Sequence, residues 1–240
     1  MEISERIARV RQRIDDAARR SGRRPEDIAL MGVTKTQPPE VIREAYQAGL
    51  RLFGENRVQE FTEKSEFVGD LHGAEWHLIG HLQSNKAAKA ASVFGAIDSV
   101  DSLKLAERLN EAAQKNSRKL QVLVEVNVGG EDAKSGVAPV STEFEEILRA
   151  APRLEWLEIR GLMTVPPFLQ NPDDVRPFFR TLRGIRDEVA KRKLQSISMD
   201  TLSMGMSHDF EIAIEEGSTC VRVGTAIFGA RPMANQETAH

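Results

Sequence analysis

The sequence predicts an α/β protein built as a (β/α)8 barrel, the TIM barrel architecture, with one extra helix at the N-terminus. Short apolar runs alternate with amphipathic helical segments along the 240 residues, a pattern typical of parallel β/α units. The number of such units and the chain length both suit a closed barrel. A doubly wound open sheet is the competing architecture. However, the first strand ends in Val33-Thr34-Lys35 and lacks the G-x-G-x-x-G loop usual in that fold.

Each element follows from a local pattern. Apolar residues at helical spacing predict a first helix over residues 3–20. Strands are predicted at 29–33, 50–53, 76–79, 96–100, 120–126, 157–163, 197–202 and 220–223. Helices are predicted at 39–48, 85–94, 102–116, 142–150, 175–191 and 208–216. Pro39 and Ser102 provide start signals, and Gly49 and Gly217 are placed to end helices in a left-handed conformation.

Composition limits the functional class. The chain is 40% hydrophobic and 29% charged, with a net charge of -3 and a pI of about 6.0, which suits a soluble globular protein and disfavours nucleic acid as a partner. We expect one domain over residues 1–232 and a disordered tail over 233–240. Neither a signal peptide nor a membrane-spanning run is recognised, so a cytoplasmic location is expected. The lone cysteine, Cys220, lies in an apolar run and is predicted to be a core residue.

Lys35 is the most informative residue, because it follows the apolar run of residues 29–33. A lysine at the end of a buried strand is partly desolvated, which lowers its pKa and frees the amine as a nucleophile. Such an amine can form an imine with an aldehyde cofactor such as pyridoxal phosphate. The alternative is a lysine that extends into solvent just beyond the strand.

Polar residues follow most of the other predicted strands, which indicates one pocket at the carboxyl end of a barrel. Gly205-Met206-Ser207 and Gly224-Thr225 follow the last two strands, where barrels frequently hold a phosphate group. Glycine lets backbone amides approach an anion, and hydroxyl groups donate hydrogen bonds to it. We therefore predict a phosphate site on these two loops, with ordinary helix-capping turns as the alternative.

Arg222 lies between two valines of the last strand, so its side chain is predicted to point into the barrel. Its partner there is either an acidic residue or the ring nitrogen of a pyridine cofactor. A guanidinium keeps its proton, so a pyridine ring beside it would be a weak electron sink. His77 falls within a predicted strand and His81 just after its end. We assign both histidines to structural or rim positions and predict no metal site.

Seven motifs together resemble those of the pyridoxal phosphate homeostasis proteins, over about residues 5–231. The motifs are Gly-Val-Thr-Lys at 32–35, Phe-Gly-Glu-Asn-Arg at 53–57, His-Leu-Ile-Gly-His-Leu-Gln-Ser-Asn-Lys at 77–86, Ile-Arg-Gly-Leu-Met-Thr at 159–164, Leu-Ser-Met-Gly-Met-Ser-His-Asp at 202–209 and Val-Arg-Val-Gly-Thr-Ala-Ile-Phe-Gly at 221–229, together with Glu-Asp-Ala-Lys-Ser-Gly at 131–136.

This resemblance implies the modified (β/α)8 barrel of the alanine racemase N-terminal domain, with pyridoxal phosphate held as an imine on Lys35. It implies a cofactor site formed by Lys35, Asn56, Met204, Ser207, Arg222, Gly224 and Thr225. Within that set, Ser207, Gly224 and Thr225 would hold the phosphate, and Arg222 would lie near the pyridine nitrogen. Lys134 matches a second lysine that the family can use for a looser cofactor site.

The resemblance also implies a non-catalytic protein that buffers pyridoxal phosphate and hands it to apo-enzymes, affecting vitamin B6 and amino-acid pools. The alternative is a pyridoxal phosphate enzyme such as an amino-acid racemase. A two-base racemase needs an acid–base group opposite the lysine, and Tyr46, the one tyrosine, falls in a predicted outer helix. We find no room after the last β/α unit for the second domain of a racemase, so we expect a monomeric carrier.

Overall fold

Residues 1–131 and 134–229 are described in a computed structural model, and within them the predicted (β/α)8 barrel is confirmed. Parallel strands close into a ring in chain order, with the last strand paired to the first. The strands are β1 Ala29–Val33, β2 Leu52–Glu55, β3 Glu75–Leu78, β4 Ala96–Val100, β5 Leu120–Glu125, β6 Leu157–Met163, β7 Ile197–Met206 and β8 Cys220–Val223. The predicted tail over 233–240 lies outside the described residues.

Helices surround the barrel, and the predicted N-terminal helix precedes the first strand. The α-helices are α1 Ile3–Arg20, α2 Pro39–Gln47, α3 Val58–Val68, α4 Ala87–Val93, α5 Leu103–Lys115, α6 Thr142–Ala150, α7 Arg176–Lys191, α8 Phe210–Glu215 and α9 Thr225–Phe228. Short 3-10 turns are found at Pro25–Asp27, Ser84–Lys86, Ala151–Arg153 and Pro172–Val175. Among the described residues, none of the helices has the length and apolar character needed to cross a bilayer.

The helix ends follow the predicted signals. The Ser102 hydroxyl accepts a hydrogen bond from the backbone N–H of Leu105 at 3.3 Å and caps α5. Pro39 occupies the first position of α2, where its missing N–H costs nothing. Gly49 and Gly217 have φ values of 87° and 102°, the left-handed conformation expected after a helix.

Strands β2 and β7 differ from their predicted bounds in ways that change the rim, whereas β3 is displaced by a single residue. Strand β2 begins two residues later than expected and includes Glu55, which pairs with Leu78 of β3. Strand β7 runs on through Met206, because the bulge before the pair between Met206 and Arg222 keeps it in the sheet. The predicted loop Gly205-Met206 is therefore the end of a strand, and only Ser207 lies beyond it.

Helix α1 covers the seam between the first and last β/α units. Its buried face carries Ile7, Val10 and Ile14, and it packs against α8 and α9. Arg13 reaches Glu211 of α8 at 2.6 Å. The extra helix thus ties the start of the chain to the last two helices of the barrel.

Candidate cofactor site

Lys35 lies in the turn that follows β1, at the carboxyl end of the barrel, and is half-buried. In the sheet register Val33 pairs with Gly54 of β2, so Lys35 and Asn56 each come two residues after a paired position. Side chains alternate along strands, which directs these two residues to the same side of their strands as the pair itself. The structure thus brings Lys35 and Asn56 onto neighbouring parts of the rim.

Helix α3 fixes the backbone on both sides of Lys35. The ammonium of Lys64 donates to the Thr34 carbonyl at 2.9 Å, and the Thr36 backbone N–H donates to Glu60 Oε1 at 2.6 Å. Thr36 has a φ of 64°, a left-handed conformation that costs free energy outside glycine. These hydrogen bonds offset that cost and set the direction from which Lys35 enters the site.

Glu55 follows the predicted strand at 50–53, where polar residues were expected on the rim, and the structure places it elsewhere. Its side chain is fully buried between β2 and α3, where Oε1 accepts from Thr34 Oγ1 at 2.8 Å and from Lys64 Nζ at 3.0 Å. Burial raises the pKa of Glu55, although Lys64 and Thr34 oppose that effect. Alternation explains the difference, because Glu55 follows inward-facing Gly54 and so faces the helices.

The two loops predicted to bind phosphate meet in space. Ser207 Oγ accepts hydrogen bonds from the backbone N–H groups of Gly224 at 3.2 Å and Ala226 at 3.3 Å. Thr225, between them, is exposed. Two amides and two hydroxyl groups therefore lie together, a donor set that suits an anion.

The loop before α8 depends on a glycine and a buried acid. A Cβ at Gly205 would lie 2.5 Å from the Ala213 Cβ, so only glycine allows α8 to pack this closely on the end of β7. Asp209 accepts from the Met206 backbone N–H at 2.6 Å, and burial raises the pKa of its carboxyl group. This turn positions Ser207 toward β8.

Arg222 points into the barrel as predicted and is 3% exposed. Its guanidinium donates to Ser203 Oγ and to the Thr164 carbonyl, both at 2.7 Å. Both acceptors are neutral groups. These hydrogen bonds therefore do not show the acidic partner that was one of the two expected alternatives. Burial lowers the pKa of Arg222, while negative charge nearby, including that of Asp98 and Glu125, opposes the shift.

Asn56 lines a cleft of about 550 Å³ above the barrel. The cleft is lined by Asn56, Ile79, Gly80, His81, Glu125, Lys134, Ser135 and Val165. A Cβ on Gly80 would collide with the Asn56 backbone, so glycine lets the ends of β2 and β3 approach here. Met204 stands apart from this group. Its side chain is fully buried in the hydrophobic core, and its place in a cofactor site stays a prediction.

Glu125 lines the candidate site and was not predicted from the sequence. It closes β5, lines the cleft and is 5% exposed. Its Oε1 accepts from Ser135 Oγ at 2.9 Å. A single acid inside the apolar run of residues 120–126 was a usable signal, since charged residues are rarely buried without a purpose.

His77 and His81 each pair with an acidic side chain. His77 Nδ1 lies 3.0 Å from Asp98 Oδ1 inside the barrel, and His81 Nδ1 lies 3.0 Å from Asp101 Oδ2 on the rim. Burial opposes protonation of His77, but Asp98 outweighs it and the pKa of His77 is raised. Among residues 1–131 and 134–229, no group of three or more His, Cys, Asp and Glu side chains is arranged to hold a metal ion.

The sequence of this chain matches a known protein family. The model of the alanine racemase N-terminal domain family matches residues 6–232. The pyridoxal phosphate homeostasis protein of Aquifex aeolicus is 48% identical over 231 residues, covering 96% of this chain and 99% of that protein. The protein of the same name from Escherichia coli K12 is 43% identical over 232 residues, covering 96% and 97%.

Solved structures agree with the fold. PipY of Synechococcus elongatus, solved with PLP bound, superposes with a TM-score of 0.82 at 37% identity, covering 95% of this chain and all of that one. An alanine racemase from Clostridium difficile 630 gives a TM-score of 0.68 at 18% identity over 56% of its length, a likeness of fold alone. The chain therefore belongs to the alanine racemase N-terminal domain family and, within it, to the pyridoxal phosphate homeostasis proteins.

Proposed function

We propose that this protein binds pyridoxal 5'-phosphate reversibly and supplies it to other proteins, with Lys35 as the covalent anchor. One observation carries the proposal most directly. Gly32 of β1 pairs with Val223 of β8, so the turn with Lys35 and the loop with Gly224 follow adjacent strands of the ring. This pairing supports the proposal, because it puts the lysine and a loop with donors suited to an anion at one edge of the barrel.

The residues present fit this cofactor. Its phosphate group would accept hydrogen bonds from the backbone N–H groups of Gly224 and Ala226, which now donate to Ser207 Oγ, and from the Ser207 hydroxyl, with Thr225 beside them. Asn56 and Arg222 would orient the ring, Arg222 from its fixed position on Ser203. When bound, the cofactor supplies an aldehyde that reacts reversibly with amines. The chain contributes the amine of Lys35 and the hydrogen-bond donors that hold the phosphate.

We propose a carrier role rather than catalysis. A guanidinium near the pyridine nitrogen does not readily give up a proton, so the ring is a poor electron sink for carbanion chemistry. Tyr46, the one tyrosine, is committed elsewhere: its hydroxyl donates to the His72 carbonyl at 2.7 Å, and Arg51 lies 3.9 Å from its ring centroid. Both of these partners come just before strands, at the opposite end of the barrel from Lys35.

We also propose that the protein is a monomer in the cytoplasm. The recipients of its cofactor would be apo-enzymes that require pyridoxal phosphate. Support for delivery comes from the relatives, which are named for pyridoxal phosphate homeostasis. Light scattering should then give a mass near 26.7 kDa with and without cofactor.

The testing experiment is a visible absorption spectrum of the purified protein with pyridoxal phosphate, before and after borohydride reduction, followed by peptide mapping. We expect a reducible band that maps to Lys35 and is lost in Lys35→Ala. Lys89→Ala, an exposed lysine on α4, should retain it. A band that persists in Lys35→Ala and maps to Lys134 would move the anchor to that residue.

A second measurement separates carrier from enzyme. Purified loaded protein is incubated with D-alanine or L-alanine, and the enantiomers are quantified by chiral chromatography. We expect no sustained conversion. Racemisation through many turnovers per protein molecule would replace the carrier role with the enzyme alternative.

A further inference from the structure

A groove on the outer side of the barrel leads away from the cleft that Asn56 lines. It runs between the segment after β3 and helix α5, and its volume is about 770 Å³, larger than that of the cleft. His81 lines both the groove and the cleft, so the groove begins at the rim of the candidate cofactor site. The residues proposed to hold the cofactor do not line it. The groove is therefore a separate surface that is open to a second ligand.

Helix α5 gives the groove a positively charged wall. Lys104, Arg108 and Lys115 line the groove and are exposed. In the part of the chain that the structure describes, Lys104 and Lys115 form no ion pair, and Arg108 pairs only with Glu111 at 3.1 Å, with 58% of its side chain exposed. An exposed pair contributes little free energy, so Arg108 can exchange its partner. Residues 81–119 hold seven Lys and Arg against four Asp and Glu, although the whole chain has a net charge of -3.

The opposite wall presents neutral hydrogen-bonding groups. Leu82 and Ala87 are buried on either side of a 3-10 turn, in which the Lys86 backbone N–H donates to the Gln83 carbonyl at 2.9 Å. The side chains of Gln83 and Asn85 are exposed and line the groove. A side-chain amide both donates and accepts hydrogen bonds, which suits the N–H and C=O groups of a peptide backbone.

Fixed contacts at both ends keep the groove open. At the rim, His81 Nδ1 lies 3.0 Å from Asp101 Oδ2, just before α5 begins. At the far end, Arg118 donates to the Ala91 carbonyl at 2.8 Å and joins α4 to the turn after α5. A preformed groove binds its ligand with little loss of conformational entropy in the protein.

The spacing of the cations selects the shape of the ligand. At 1.5 Å per helical residue, Arg108 lies about 6 Å and Lys115 about 16 Å from Lys104 along the axis of α5. A single phosphate group cannot span that distance, whereas alternate side chains of an extended peptide are about 6.6 Å apart on one face. Asp101 and Glu111 also line the groove, and they would repel the continuous phosphate backbone of a nucleic acid.

We propose that this groove docks an acidic, extended peptide segment of the protein that receives the cofactor. Carboxylates of the segment pair with Lys104, Arg108 and Lys115, and its backbone forms hydrogen bonds with Gln83 and Asn85. The inference rests on the proposed function and deepens it by naming the feature by which a recipient is recognised. A recipient held in the groove lies beside the rim from which the cofactor leaves.

The first test measures fluorescence polarisation of a labelled peptide of about ten residues, in which glutamate and alanine alternate, with the full chain. The comparison probes are the same peptide with glutamine in place of glutamate and a single-stranded oligothymidylate of about ten nucleotides. We expect the glutamate peptide to bind at least about tenfold more tightly than either comparison probe. Failure of the glutamate peptide to bind, or equal or tighter binding of either comparison probe, would overturn the inference.

The second test separates the groove from the overall charge of the protein. Lys104→Ala/Arg108→Ala should weaken binding of the glutamate peptide at least about tenfold. Arg9→Ala/Lys191→Ala removes the same charge from exposed positions on α1 and α7 and should change the affinity less than about twofold. Ala88→Tyr, which narrows the groove without a change in charge, should weaken binding as well. Equal losses in the two double variants would show that net charge, and not the groove, attracts the peptide.

The docking surface and the cofactor function fail in different ways. Protein that binds the glutamate peptide but never acquires the absorption band with pyridoxal phosphate would refute the cofactor function and leave the docking surface standing. Protein that takes up pyridoxal phosphate on Lys35 but does not bind the peptide would refute the docking surface alone. Lys104→Ala/Arg108→Ala should keep both the absorption band and the circular dichroism of the unaltered protein, which shows that the barrel is intact.

Discussion

Cys220 illustrates how burial decides the chemistry of a single residue. Its thiol lies in β8 at 5% exposure, and burial raises the pKa of Cys220 to about 12, with the negative charge of Asp98 adding to the effect. The thiolate is the reactive form of cysteine, so a thiol that keeps its proton is inert. The prediction that Cys220 is a core residue is confirmed.

We predict that Cys220 in the folded protein will not react with Ellman's reagent between pH 7 and about pH 10. The raised pKa keeps the thiol protonated over this range, whereas in unfolded chains a thiol ionises near pH 8.5. In denaturant one thiol per chain should react, because the sequence has one cysteine. Rapid stoichiometric labelling of the native protein would show that the thiol is accessible and ionised.

The packing of α3 against the turn after β1 links an element to the proposed site. Lys64 is 9% exposed and is placed between Glu55 at 3.0 Å and Glu60 at 2.7 Å, while also holding the Thr34 carbonyl. Removing one partner of a buried ion pair leaves the other charge uncompensated, which is more costly than losing the attraction alone.

We predict that Lys64→Met lowers the free energy of unfolding by about 3–5 kcal/mol, measured by urea denaturation. It should also weaken pyridoxal phosphate uptake, since the backbone around Lys35 loses a support. Adding Glu55→Gln to Lys64→Met should recover part of the stability, because the buried charge is then removed as well. Lys89→Met is the control. A wild-type urea midpoint for Lys64→Met would refute this role of the ion pair.

Strands β6 and β7 approach so closely at one point that a side chain is excluded. A Cβ on Gly161 would collide with the Thr201 carbonyl oxygen, which belongs to the rigid backbone of β7. Gly184, by contrast, is exposed within α7, and a Cβ there would meet only open space. The two glycines have opposite relations to their surroundings.

We predict opposite effects of the same substitution at these two positions. Gly161→Ala should destabilise the protein by about 2–4 kcal/mol, since the pairing of β6 with β7 must shift. Gly184→Ala should stabilise it by about 0.5–1 kcal/mol, because alanine favours a helix interior. Thermal and urea denaturation measure both. The same sign for the two variants would contradict the packing described for β6 and β7.

The elements that could be predicted from sequence are those defined by local pattern. The bounds of β1, β4, β6 and β8 agree with the predicted runs, because apolar composition and flanking turns mark them. The start of β2 and the end of β7 could not be predicted from the local sequence pattern. Their limits depend on pairing with neighbouring strands and on the bulge before Met206, which are tertiary effects.

The candidate site likewise combines features that could be predicted from the sequence with features that could not. The inward direction of Arg222 and the meeting of the Ser207 and Gly224 loops followed from strand alternation and barrel topology. The support of Lys35 by Lys64 could not be predicted, since these residues are far apart in sequence and α3 shows no special motif. Contacts between distant segments require the assembled fold.

At the scale of the whole molecule, α1 connects the first and the last β/α units of the barrel. Arg23, just after this helix, donates to the carbonyls of Ile214 at 2.9 Å and Ser218 at 2.6 Å, beside β8. Ile14 is 3% exposed in the apolar face of α1. Because β1 and β8 also pair directly, the described residues form one closed structure in which the first and last parts depend on each other.

We predict that Ile14→Ala lowers the free energy of unfolding of the whole barrel by about 2–5 kcal/mol. Helical circular dichroism and the fluorescence of Trp76 and Trp156 should change at one shared urea midpoint, since a closed ring cannot lose one unit alone. Arg9→Ala, on the exposed face of α1, serves as the control. Separate midpoints for the two signals would show that α1 unfolds independently of the barrel.

The pairing of β1 with β8 also sets an order during synthesis. Lys35 leaves the ribosome well before Ser207, Gly224 and Ala226, whose hydrogen bonds join the two loops of the candidate anion site. Until β8 and the loop after it have been synthesised, a nascent chain presents the lysine without the partners that would hold a phosphorylated aldehyde. Under the proposed function, ligand capture by this route therefore waits for β8 to close the ring, so that synthesis of this last strand acts as a checkpoint for loading.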